Sequence, residues 1–76
     1  MEERIKKILA RILKMPIEDI GEETSPDTVD TWDSLRHMNL VMALEEEFGV
    51  RFKEVQVVEM LNYPLIVATL REMCVT

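Results

Sequence analysis

One cysteine, one histidine and two glycines in 76 residues leave little material for most kinds of site chemistry. Cys74 alone cannot close an internal disulfide, and no histidine stands near it to activate a thiol, so it reads as a small terminal hydrophobe. One His and one Cys, far apart in sequence, cannot furnish a tetrahedral zinc site of ordinary make-up. Gly21 and Gly49 are too few for a phosphate-cradling loop. Asp27, Asp30 and Asp33 suggest a calcium loop, but counted from Asp27 the sixth and twelfth places, which need glycine and glutamate, are Trp32 and Met38. His37, three residues from Ser34, has no third group to orient it and makes no hydrolase triad. The sequence therefore points to no metal, no catalytic residue and no enzyme.

Long apolar runs are missing as well. Nothing of signal-peptide or membrane-spanning length occurs, so the expectation is a cytoplasmic chain without a membrane span. Basic charge is also short: nine Lys plus Arg against fifteen Asp plus Glu leave a net charge of −6, which argues against nucleic acid as a partner. The charge is uneven, +3 over residues 1–14 and −9 over 15–76, so partners of the second part are expected to be basic. A chain of this length builds one small core, read here as a single, monomeric domain over 1–76, with stability of no more than about 10 kcal/mol.

What is present is helical patterning. Ile5, Ile8, Leu9, Ile12 and Leu13 fall on one face, with Arg4, Lys6, Lys7 and Arg11 opposite, predicting a helix over 2–14 that Pro16 ends. Residues 15–33 are turn-rich, with Pro16, Gly21, Thr24, Ser25, Pro26, Asp27 and Asp30 between isolated apolar residues. Ile17, Ile20 and Val29 are expected to plug this long loop into the core, and Trp32 to anchor it. Leu35–Phe48 holds no proline or glycine and stops at Gly49, a natural left-handed cap. A short helix over Glu54–Leu61 follows an extended link, and Pro64 is expected to open a last helix ending near Met73, with Ile66, Val67, Leu70 and Met73 inward. No repeat or strand alternation occurs. The predicted fold is all-α: a small four-helix bundle, three long helices and one short, with a long loop between helices 1 and 2.

The second helix has more apolar surface than one core requires. His37, Leu40, Val41, Leu44 and Phe48 form a stripe about 100° wide, as expected of a core-facing side. His37 on that stripe reads as a partly buried helix residue, either hydrogen-bonded or edge-exposed. Leu35, Met38 and Met42 lie on another side, clustered with Ser34 and flanked by Asn39, Glu45 and Glu46. Either the helix is buried on two sides, or the second stripe docks a partner; methionine adapts to varied surfaces, and flanking acids steer a basic one. Ser34 opens the helix behind Asp33, a good N-cap. Unpaired N–H groups and the positive helix end there would stabilise a phosphodiester on the serine oxygen. Taken alone, a serine beside an Asp cap is an ordinary helix start.

Thr31-Trp32-Asp33-Ser34-Leu35, followed by Leu40-Val41-Met42-Ala43-Leu44-Glu45-Glu46-Glu47-Phe48-Gly49, resembles the attachment region and second helix of acyl carrier proteins. With the helix before it and the short third helix after it, nearly the whole chain fits the resemblance. It implies a free-standing, non-catalytic carrier that holds acyl intermediates as thioesters on a 4'-phosphopantetheine arm attached to Ser34. A phosphopantetheinyl transferase (holo-acyl-carrier-protein synthase) would supply the arm from coenzyme A. The implied partner-binding residues are Asp33, Leu35, Met38, Asn39, Met42, Glu45 and Glu46, facing acyl-loading and acyl-processing enzymes with basic docking surfaces. Arg36 and Asn39 stand where many fatty-acid carriers have acids, and Trp32 with His37 looks like carriers of specialised pathways. Fatty-acid, polyketide or related biosynthesis is implied, with shelter for a short acyl chain inside the bundle. The peptidyl or aminoacyl carriers, which typically show a glycine pair before the serine, are one alternative. A helical interaction module without any prosthetic group is the other.

Overall fold

Clean amphipathicity makes the first element. In a computed structural model that describes residues 1–74, α1 runs over Glu2–Leu13 and buries Ile5, Ile8, Leu9 and Leu13. It stops one residue short of the predicted end because Lys14 turns left-handed, φ 56°, and sends its N–H to the Ala10 carbonyl. The carbonyls orphaned by that ending are met from elsewhere: Thr31 Oγ1 donates to Leu13 O at 2.6 Å and Arg36 Nη1 to Ile12 O at 2.9 Å.

The loop that follows contains one 3-10 turn, Ile17–Asp19, and is ordered by side chains that bond to the backbone. Thr24, only 4% exposed, accepts from Gly21 N through its hydroxyl, while its carbonyl accepts from Tyr63 N. Thr28 Oγ1 donates to Glu23 O at 2.7 Å. Ile20 and Trp32 are buried and Val29 packs on the core, as expected of plugs and anchor. Ile17 departs from expectation: it opens the 3-10 turn at 36% exposure, and the interior place goes to Ile20 just past the turn.

α2 spans Ser34–Phe48 and begins at Ser34 because the Asp33 carboxylate accepts from Arg36 N at 2.8 Å, closing the N-cap. Gly49, φ 64°, ends it. α3 is six residues, Glu54–Glu59, two shorter than the predicted element; Gln56 Oε1 accepts from Lys53 N at its start, and Met60 just beyond its end is fully buried. α4 covers Tyr63–Cys74. The Asn62 side chain accepts from Leu65 N at 2.8 Å and so starts this helix before Pro64, which occupies the second position.

Four helices in this order, with no strand among the described residues, make the small all-α bundle that the patterning predicts. Ile5, Leu9, Leu13, Leu40, Leu44, Met60, Ile66 and Leu70 are its fully buried side chains, so α1, α2 and α4 supply the core and α3 leans on its edge. Glu2 joins both chain ends of the bundle, accepting from Tyr63 Oη at 3.0 Å and from Arg71 Nη2 at 2.6 Å. No helix among the described residues is long and apolar enough to cross a membrane.

Candidate functional site

Around the start of α2, nearly every side chain from Thr31 to His37 is tied to another part of the fold. Thr31 and Arg36 bond the end of α1, and Asp33 caps α2. Trp32, 4% exposed, donates Nε1–H to His37 Nδ1 at 3.1 Å, and His37 Nε2 lies 2.8 Å from the Val57 carbonyl of α3. An indole can only donate, so Nδ1 must accept and the proton resides on Nε2, where it is given to Val57 O. With both nitrogens occupied, the buried His37 is a neutral structural link and no base for Ser34.

Ser34 and Leu35 are the two side chains of this segment left out of those ties. Ser34 is exposed, and its hydroxyl takes no part in the bonds that fix its neighbours. Leu35 is 71% exposed. At the first position of a 15-residue helix, Ser34 sits where free N–H groups and the helix dipole favour an anion on its oxygen. The exposed Asp33 carboxylate beside it serves as the N-cap, accepting from Arg36 N.

Beside Ser34 an apolar groove of about 470 Å³ opens between α2 and α3, its walls including Trp32, His37, Met38, Val57, Val58 and Leu61. A roomier hollow of about 620 Å³ lies between α1 and α2, but Arg4, Lys7, Arg11, Glu46 and Glu47 line it and it does not reach Ser34. An exposed hydroxyl, an anion-favouring helix end and an adjacent apolar groove are together a place for a phosphate-linked tether with an organic arm. Among the described residues no cluster of metal-ligating side chains competes for the position.

The exterior of α2 carries the second stripe in the open. Met38 and Met42 are 49% and 57% exposed, and Asn39 and Glu46 are exposed beside them. Glu45 is half-buried and accepts from Phe52 N through Oε2 at 2.8 Å, which holds the link into α3. Glu47 is likewise engaged, by Arg4 at 2.7 Å. Three apolar residues that sequence reasoning did not single out extend the stripe onto the neighbouring element: Val55, Val58 and Leu61, all about half exposed or more. Their spacing of three was legible as one face of a helix.

Such a molecule, a small helical bundle with an unencumbered hydroxyl at a helix start and an apolar exterior beside it, has the makings of a carrier rather than a catalyst. The comparison with known families agrees. A family model for the phosphopantetheine attachment site matches residues 3–70, nearly the whole chain, and the protein belongs to that family. It is therefore a carrier domain that bears covalently attached 4'-phosphopantetheine and is modified by a phosphopantetheinyl transferase.

Proposed function

We propose that Ser34 is the residue that bears the arm, and that the chain presents acyl intermediates to the enzymes of fatty-acid, polyketide or related biosynthesis. The observation that carries this reading is the exposed Ser34 hydroxyl at the start of α2, unbonded among the described residues, in a segment whose other polar side chains are committed. When attached, the arm supplies a terminal thiol on which acyl groups are held as thioesters. The protein's own part is to hold Ser34 outward at a helix end that tolerates the phosphodiester charge, and to offer apolar wall along the α2–α3 groove. Leu35, Met38 and Met42, with Asn39 and Glu46 at their margin and Asp33 at their head, form the surface on which partners dock; Glu45 contributes by fixing the turn beside it. Apolar side chains left in water on a chain this small are costly unless a partner covers them.

Mass spectrometry tests the attachment. Incubated with coenzyme A and a broad-specificity transferase, the apo chain is expected to gain one phosphopantetheinyl unit and Ser34→Ala none. Modification of the alanine variant, or none of the wild type, would remove Ser34 from the role. Thioester trapping in cell extract then separates an acyl cargo from an aminoacyl one.

A further inference from the structure

At six residues, α3 is too short to persist on its own helical bonds. It is held from outside. The Val57 carbonyl falls in its last turn, among those that no later N–H of the helix reaches, and His37 Nε2–H meets it from α2. On the far side of the ring, the buried Trp32 indole N–H finds its acceptor in His37 Nδ1. The two rings lie nearly parallel, centroids 6.1 Å apart and planes 27° apart. Trp32, His37 and Val57 thus form one chain from the end of the long loop, through α2, to α3, and all three line the groove beside Ser34. Loss of the imidazole would leave the buried Trp32 N–H and the part-buried Val57 carbonyl without these partners.

We propose that His37 is a positioning residue of the carrier: in its neutral Nε2–H form it fixes α3 against the start of α2. Val58 and Leu61 then stand with Leu35 and Met38 as one docking face around Ser34. The inference rests on the reading of Ser34 as the attachment residue. Because the ring bonds both ways, no apolar residue of like size substitutes for it. Glutamine does in part, since its Oε1 accepts and its Nε2 donates in the same order as the two imidazole nitrogens.

The experiment compares wild type, His37→Leu, His37→Gln and Trp32→Phe in two measurements: transferase kinetics on the apo chain with coenzyme A, and amide hydrogen exchange across the molecule. In His37→Leu, KM for the apo chain should rise about fivefold or more with a smaller change in kcat, as for a lost docking geometry. Exchange at the amide of Val57 in α3 and of Met60 just past its end should quicken about tenfold while α1 and α4 stay protected. His37→Gln should recover most of both effects. Trp32→Phe, which keeps an aromatic ring and removes the donor, should show the same pattern to a lesser degree, and it carries the test if His37→Leu does not fold. A KM within twofold of wild type in both His37→Leu and Trp32→Phe, unchanged α3 exchange, or a glutamine variant no better than leucine would overturn the proposal. Failure of wild-type Ser34 to accept the arm would instead defeat the attachment reading, and the exchange data would still decide whether His37 fixes α3.

Discussion

α1 and α2, which pack together, solve different problems with similar residues. α1 keeps its large aliphatic side chains on the core side and gives its outer side to charge, one of whose members, Arg4, bonds Glu47 and lies 4.5 Å over the Phe48 ring. α2 buries His37, Leu40, Val41 and Leu44 and yet leaves Leu35, Met38 and Met42 in solvent. A helix against one core needs one apolar stripe, and α1 has one. The second stripe of α2 stays largely in solvent in the free chain, which is what the proposed docking face requires.

The sharpest way to break this contrast is to cut into each face of α2. Leu44→Ala, at a fully buried site, is expected to cost about 2–5 kcal/mol in urea or thermal unfolding, a large share of the stability of so small a domain. An unchanged unfolding curve would mean that the buried and exposed faces have been exchanged.

The next largest effect concerns how α1 is fastened. Burial first, then the hydrogen bond to Glu2, pushes the Tyr63 phenol up from 10.0 to about 12. The folded state thus favours the protonated phenol, and its contribution is whole below pH 10 and lost as the pH climbs from 10 through 12. The loss should amount to roughly 1–3 kcal/mol, measured as the fall in unfolding free energy between pH 9 and pH 12 that Tyr63→Phe lacks. Equal slopes for the two proteins would dissolve the link.

The helix ends supply a smaller test. Both close on a left-handed residue, Lys14 for α1 and Gly49 for α2. A Cβ at Gly49 would meet no atom within 4 Å, so Gly49→Ala should lose only the conformational term, about 1 kcal/mol. A loss several times larger would reveal packing at this cap. Smallest of all in stability, Met42→Glu should stay within about 0.5 kcal/mol of wild type while raising KM with the transferase or an acyl-loading enzyme, because it sets a charge in the middle of the outer stripe. Undiminished activity with both enzymes would take Met42 out of the docking face.

Helix periodicity made α1 and α2 legible, since each carries an uninterrupted stripe. Boundaries were read less well where an unforeseen cap decides them: Asn62 starts α4 ahead of Pro64. Ile17 and Ile20 look alike in sequence, and only the path of the 3-10 turn admits Ile20 to the core. Glu45 and Glu46 are neighbours of one kind, yet the backbone of residue 52 claims Glu45 alone. His37 was legible as a partly buried residue, hydrogen-bonded or at the edge; its bridge between Trp32, five residues back, and Val57, twenty ahead, was not.

The order and amphipathicity of the helices, the serine at the head of α2 and the surplus of apolar surface behind it follow from the amino-acid sequence, because they depend on spacing and local chemistry. Which carboxylates are free, which isoleucine is inside and what holds a six-residue helix in place depend on groups far apart in the chain. Only their meeting in the folded bundle decides them.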